Sequence, residues 1–250
     1  MGPMAVCNKI IDRINKHQLL NKVKYIDVEL FGSLAYTGKA HGTDKAIIAG
    51  LQGFKSESVT PRDISLLYDN VCKNKKISIL DSTSLPFDID KNIIYNTKDK
   101  PSYHSNALTI YVYTYNGEIL FKKTYYSIGG GAILSDNKIK SKPKGKVFPY
   151  TYSSTSELLD FCKSKKTKIW DIVFANEKSI ATESQINDKI NHIWNVMESS
   201  IEKGLITKGI LDGGLKVERR APDLFSKLNK DKSNDSLLEL DYVNVYAIAV

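Results

Sequence analysis

From Val23 to Leu30 the chain alternates apolar and polar residues. The alternation stops at Phe31-Gly-Ser-Leu-Ala-Tyr-Thr-Gly-Lys-Ala-His-Gly-Thr-Asp44, which is followed by an apolar run from Ala46 to Leu51. Alternation marks a half-buried strand, and glycines mark a tight connection. The stretch therefore predicts a strand over Val23–Phe31, a glycine-rich crossing, and a short helix to about Leu51. Thr43 stands where an N-cap belongs, and Asp44 suits the positive end of that helix. With the helices and strands that follow it to about residue 135, this stretch points to a mixed α/β fold.

The crossing is not a phosphate loop of the P-loop type. Five residues separate Gly32 from Gly38 where four are required, and Ala40 stands where Ser or Thr would hold magnesium. It does place one imidazole, His41, at the mouth of the helix. A neutral imidazole can act as a general base; a histidine that merely bonds to its own loop is the alternative.

Elsewhere the pattern predicts a helix over Met4–Leu20 and another beginning at Thr60-Pro61-Arg62-Asp63, with Thr at the cap and Pro at the first helical position. Phe87–Ile94 reads as a strand. Ala107–Tyr115 and Glu118–Ser127 read as two strands joined at Asn116-Gly117, a strong hairpin signal. Beyond Pro149 the character changes. Ser156–Ser164, Ile169–Asn176, Glu183–Lys203 and Ser236–Val250 read as helices. The expected organisation is an α+β or α/β domain over 1–150, with mixed sheet and helices, and a helical segment over 151–250. The last helix runs apolar to Val250 without a cap, which suggests a chain cut short within its second domain.

Three further groups carry polar chemistry. Tyr103-His-Ser-Asn106 opens a strand, so that His104 and Asn106 share a face and offer donors for a carboxylate. Ser127-Ile-Gly-Gly-Gly131 follows a strand, and Gly129, Gly130 and Gly131 could turn backbone N–H groups toward an anion or simply end the strand. Gly213-Gly214-Leu215 precedes Arg219 and Arg220, which could pair with a substrate carboxylate or a partner domain, or stand solvated.

Composition narrows the classes. The net charge of +8 is carried almost wholly by Lys, with four Arg in 250 residues. Arg is the residue of bidentate phosphate and base recognition, so a nucleic-acid role is not expected. The basic run Lys138–Lys146 reads as a solvated loop. No apolar run approaches the length of a membrane span, and the expected location is the cytoplasm. Cys7, Cys72 and Cys162 are widely spaced and show no metal-ligand spacing.

Taken in order, Gly2-Pro-Met4, the stretch Phe31–Asp44, His104-Ser-Asn-Ala107, Thr124-Tyr-Tyr-Ser-Ile-Gly-Gly-Gly131, Ala175-Asn-Glu177, Gly213-Gly-Leu215, Arg219-Arg-Ala221 and Tyr246-Ala-Ile-Ala-Val250 resemble the bacterial iron–sulfur L-serine dehydratases (L-serine ammonia-lyases). The resemblance implies an N-terminal α/β domain like the allosteric substrate-binding domain of some dehydrogenases, followed by a helical domain. It implies conversion of L-serine to pyruvate and ammonia, with a [4Fe–4S] cluster as Lewis acid on the hydroxyl and a protein base taking the α-proton.

His41 matches the proposed base. Lys39, Thr43, Asp44, His104, Asn106, Ser127, Gly129–Gly131, Arg219 and Arg220 match positions expected to contact substrate. The family carries a Ser-Ser-Ser-His-Thr segment before Gly-Pro-Met and a cysteine-bearing region beyond Ala-Val, neither of which this sequence contains. The expectation is thus the N-terminal portion of such an enzyme, without cluster ligands of its own and inactive alone. Its partner would be a cluster-bearing C-terminal domain or complementary chain, and a homodimer is admitted. A serine-binding or association module without chemistry is the alternative, and a phosphate-binding protein a third reading.

Overall fold

The computed structural model describes residues 1–136, 147–211, 216–230 and 235–250. The run Lys138–Lys146 and the Gly213-Gly214-Leu215 segment lie outside the described residues. The chain divides into two compact units, Met1–Lys142 and Pro143–Val250.

The first unit is a five-stranded sheet with helices packed on it. Helix α1 (Gly2–Lys16) leads through a single 3₁₀ turn to β1 (Val23–Phe31), whose bounds are those the alternation predicts. Next come the one-turn α2 (Ser33–Tyr36), then α3 (Thr43–Leu51) and α4 (Pro61–Asn74). Strands β2 (Lys76–Ile79) and β3 (Thr83–Pro86) pair with each other. They are followed by α5 (Ile89–Asn92), β4 (Ile93–Asn96), β5 (Ala107–Thr114), β6 (Ile119–Ser127) and β7 (Ile133–Ser135). The large sheet runs β4-β1-β5-β6-β7, with β1 parallel to β4 and the other neighbours antiparallel.

One face of this sheet builds the core. Ile26, Val28 and Leu30 of β1 and Leu108, Ile110 and Val112 of β5 join Val6, Ile10 and Ile14 of α1 and Ile47, Ile48 and Leu51 of α3 in one buried cluster. Each such side chain contributes about 1.5–3 kcal/mol by leaving water. Helices α1 and α3 approach closely because Gly50 has no side chain: a β-carbon there would lie 2.6 Å from the Met4 carbonyl oxygen and 2.8 Å from Cys7 Cβ.

The other face is polar and aromatic. Tyr25 stacks on Tyr113 at 4.5 Å, Tyr111 donates its hydroxyl to Glu29 (2.9 Å), and Asn92 donates to Asp27 (2.6 Å). Burial, then the bond to Glu29, push the Tyr111 hydroxyl up to about 12.

Some expectations are corrected. Tyr103–Asn106 does not open a strand: β5 begins at Ala107, and His104 and Asn106 lie in the bent segment before it, so they share no strand face. Phe87–Ile94 is not one strand, because Asp88 accepts the Asp90 N–H and caps α5 within it, leaving β4 to begin at Ile93. Thr43 is not the cap of α3. That position belongs to Gly42, in the left-handed region at φ 67°, while Thr43 is the first helical residue and is buried. By contrast, Thr60 and Asp63 cap α4 reciprocally: the Asp63 N–H reaches Thr60 Oγ1 and the Thr60 N–H reaches Asp63 Oδ2.

The second unit is helical: α6 (Thr155–Lys165), α7 (Ile169–Lys178), α8 (Glu183–Ile206), α9 (Ala221–Lys230) and α10 (Asp235–Ala249). Asn176 is buried and clasps the backbone of Tyr150 twice, its Oδ1 accepting the N–H (2.9 Å) and its Nδ2 donating to the carbonyl (2.7 Å). That accounts for the asparagine of the Ala175-Asn-Glu177 motif. Helix α8 leaves Ile190, Ile193, Trp194, Val196 and Met197 exposed. Among the described residues no helix is long and apolar enough to cross a membrane.

Candidate functional site

The strand directions gather the polar motifs at one end of the sheet. β1 and β4 run parallel and finish side by side, Phe31 opposite Asn96. Being antiparallel to β1, β5 begins at that end, and β6 finishes there, with Ala107 opposite Tyr126. Small-molecule sites in open α/β sheets favour the carboxyl ends of strands.

The turn after β1 is set by Gly32. Its φ is 57°, and a β-carbon would fall 2.2 Å from the Ser105 carbonyl oxygen. This presses the start of α2 against the segment that leads into β5. There Asn106 Oδ1 accepts both the Ser33 N–H (3.0 Å) and the Ser33 hydroxyl (2.7 Å). The Asn106 N–H donates to His104 Nδ1 (3.1 Å), and the Asn106 carbonyl accepts the Ser127 N–H (2.9 Å). Asn106, His104, Ser127 and the turn after β1 are thus brought together.

His41 joins the same network by a helical ladder. The Thr37 hydroxyl and N–H donate to the Ser33 carbonyl (2.9 and 3.0 Å), and His41 Nδ1 and N–H donate to the Thr37 carbonyl (2.8 and 3.2 Å). A carbonyl only accepts, so Nδ1 must carry hydrogen and the lone pair of the neutral ring sits on Nε2. His104 is set the other way. Its Nδ1 accepts from a backbone N–H, so the neutral ring carries hydrogen on Nε2. His41 is exposed and His104 half-buried.

The other candidates are distributed as follows. Lys39 is exposed on the loop between α2 and α3. Thr43 and Asp44 are buried, and the Asp44 carboxylate accepts the Lys45 N–H (2.8 Å) and the Tyr68 hydroxyl (3.2 Å). Burial, then the Asp44 charge, hold the Tyr68 hydroxyl well above its ordinary value. Gly129, Gly130 and Gly131 all have positive φ and form the turn from β6 to β7, closed by the Ala132 N–H to the Gly129 carbonyl (2.9 Å). The start of α1 lies against this region: a β-carbon on Gly2 would stand 2.5 Å from Ser127 Oγ, and one on Gly131 would stand 3.3 Å from Met1 Cβ. Arg219 and Arg220 belong to the second unit, where the Arg219 N–H bonds to the Gly209 carbonyl and the Arg220 carbonyl accepts the Leu224 N–H.

A cavity of about 290 Å³ opens beside the turn, lined by Gly32, Ser33, Tyr36, Thr37, Thr97, Asp99, Lys100 and Ser105. Ser33, Thr37 and Lys100 were not among the residues singled out from sequence. The first two had a signal in spacing alone, since Ser33, Thr37 and His41 fall four apart, the interval of an i to i−4 bond. Lys100 had none.

An iron–sulfur cluster needs several converging thiolates. Cys7 is buried in the core of the first unit, where burial pushes its thiol up, Cys72 is exposed on α4, and Cys162 is on α6. No three His, Cys, Asp or Glu converge among the described residues. These residues do not fit such a cluster.

A family model described as the serine dehydratase beta chain matches residues 1–138, and one described as the serine dehydratase alpha chain matches residues 164–250. The chain is 35% identical over 254 residues to the L-serine dehydratase TdcG of Escherichia coli strain K12, and 33% identical over 255 residues to L-serine dehydratase 1 of the same strain. It is 30% identical over 253 residues to the L-serine dehydratase of Streptomyces coelicolor. These matches cover 100% of this chain but 55–56% of the relatives, so the chain spans about half the length of the curated relatives it matches.

Proposed function

The chain belongs to the serine dehydratase family, and we propose that it supplies the proton acceptor and polar substrate contacts of an L-serine ammonia-lyase, with His41 Nε2 taking the α-proton. The observation that carries this reading is the bond from His41 Nδ1 to the Thr37 carbonyl at 2.8 Å, which leaves Nε2 as the basic atom of the neutral ring. His104, whose neutral ring carries hydrogen on Nε2, has the donor that a carboxylate or hydroxyl of serine would accept. Lys39 on the loop after α2, Ser127 at the end of β6 and the Gly129–Gly131 turn are proposed to add cationic and polar contacts. Asp44 is engaged by Tyr68 and Lys45 and supports the start of α3. Arg219 and Arg220 are proposed to meet the substrate or a partner from the second unit.

The [4Fe–4S] cluster that the resemblance implies does not find its ligands in Cys7, Cys72 and Cys162 as they stand. We therefore propose that turnover requires a polypeptide supplying the remaining length of the relatives. The exposed apolar face of α8 is a surface for it to cover. The reaction is placed in the cytoplasm. A serine-binding module without chemistry is the second reading, favoured by the first unit having a sheet and core of its own.

The test is anaerobic pyruvate formation from L-serine with iron and sulfide supplied, by this chain alone and together with a polypeptide spanning the remainder of a full-length relative. The expected result is no turnover alone, turnover together, and loss of turnover in His41→Ala. Turnover that survives His41→Ala removes His41 as the base. Calorimetric binding of L-serine without turnover in either setting favours the module.

A further inference from the structure

We propose that Asn106 is a positioning residue: through Ser33 it fixes the turn whose Thr37 carbonyl aligns His41. This rests on the reading of His41 as the proton acceptor.

The amide oxygen of Asn106 has two lone pairs, and both are engaged, one by the Ser33 N–H (3.0 Å) and one by the Ser33 hydroxyl (2.7 Å). A backbone N–H can only donate, so the oxygen and not the nitrogen of the amide faces the turn. Helix α2 is a single turn over Ser33–Tyr36, too short to hold itself in place. It is held from outside at both ends: Asn106 grips its first residue, while Ala35 packs into the core and the Tyr36 hydroxyl donates to the Thr97 carbonyl (2.7 Å).

From Ser33 the constraint passes up the ladder. The Ser33 carbonyl receives the Thr37 hydroxyl and N–H, and the Thr37 carbonyl receives His41 Nδ1. The backbone of Asn106 meanwhile ties His104 and Ser127 to the same point. A residue whose task was to hold a substrate carboxylate would work through its amide N–H₂ group. A residue whose task is to hold Ser33 works through its oxygen, and an aspartate keeps that oxygen while losing the N–H₂.

The experiment compares Asn106→Ala, Asn106→Asp and Ser33→Ala in the whole chain, with ¹⁵N-labelled histidine at a pH where the rings are neutral. The readouts are the ring nitrogen resonances of His41 and the exchange rate of the Ser33 amide. The native chain should show His41 protonated on Nδ1 and bare on Nε2, and Asn106→Asp should keep that pattern. Asn106→Ala should lose it to a mixture of tautomers, with Ser33 exchanging about tenfold faster, the effect of losing one net hydrogen bond. His104, bonded to the backbone N–H of residue 106, should keep its pattern in every variant and so report that the site is intact.

Ser33→Ala, which loses one of the two donors, should fall between the extremes. It carries the test if Asn106→Ala loses its cooperative unfolding. An unchanged His41 pattern and unchanged Ser33 exchange in Asn106→Ala, or in Ser33→Ala where that variant carries the test, would overturn the proposal. So would Asn106→Asp behaving like Asn106→Ala. None of these readouts needs turnover, so a failure of His41 as base, seen in the pyruvate assay, is distinguishable from a failure here.

Discussion

Gly32 and Ser105 occupy space that leaves no room for a side chain between them: a β-carbon on Gly32 would fall 2.2 Å from the Ser105 carbonyl oxygen. The backbone of Gly32 is also at φ 57°, a conformation that other residues adopt at a cost. Gly32→Ala should therefore destabilise the chain by about 1–3 kcal/mol and push α2 away from Asn106. Denaturant unfolding checks the first effect and the Ser33 amide exchange rate the second. Gly117→Ala has a positive φ of 80° but nothing within 4 Å, so it should cost less.

Gly50 tests the helix pair beneath the sheet rather than the site. A methyl group there must displace the Met4 backbone or Cys7, both closer than 3.0 Å to its ideal position. Gly50→Ala should destabilise by about 1–3 kcal/mol through overpacking while leaving the His41 ring resonances unchanged. A loss of stability with no spectral change at His41 separates core packing from the positioning network.

Acid should expose the ion pair between Lys75 and Asp88, whose atoms lie 3.0 Å apart. The bond from Lys75, together with the Asp90 N–H, holds the Asp88 carboxyl below its ordinary value. A depressed carboxyl stabilises the fold above its unfolded-state value, and that contribution is lost as pH falls through the lower, folded one. Asp27 acts in the opposite sense. Burial raises it, against the lowering bond from Asn92, so protonation in acid relieves a charge that the fold holds at a disadvantage. Asp88→Asn should flatten the fall of stability below the ordinary aspartate range, and Asp27→Asn should remove an opposing gain. Unfolding midpoints measured from neutral pH into that range check both signs.

The two tryptophans report on the second unit. Trp170 and Trp194 are 61% and 56% exposed, and they are the only tryptophans in the sequence. If a polypeptide carrying the remaining length of the relatives covers α8, emission should shift to the blue on mixing. Trp194→Glu should weaken association roughly thirtyfold, the equivalent of losing about 2 kcal/mol at an interface centre.

Some of this was legible in the residues and some was not, for definite reasons. The bounds of β1 followed from its alternation, and the start of α4 from Thr60-Pro61-Arg62-Asp63, because in both the local chemistry agrees with the tertiary outcome. The β2–β3 hairpin was missed because its turn puts Leu80 and Asp81 at φ 49° and 54° without the Asn-Gly or Asp-Gly pair that advertises such a turn. Helix α9 was missed because Arg220, not a Ser, Thr, Asp or Asn, stands before Ala221, so the usual N-cap signal of a helix start is absent.

At the site, His41, His104, Asn106 and Ser127 were identified as polar motifs, but sequence assigned none of their bonds. That Asn106 spends its oxygen on Ser33, and that Asp44 is taken up by Tyr68, depends on contacts 73 and 24 residues apart. No local pattern encodes those.

His41 Nε2 is proposed to remove the α-proton of L-serine. Asparagine at position 41 has an N–H₂ group able to donate where Nδ1 does, but no basic atom. The direct measurement is the rate of pyruvate formation by His41→Asn in assembly with the complementary polypeptide, alongside calorimetric binding of L-serine. The account predicts a fall of about a hundredfold or more, the usual contribution of a general base, with serine binding retained. A rate within about threefold of the native assembly, half a decade against the expected two, would contradict it.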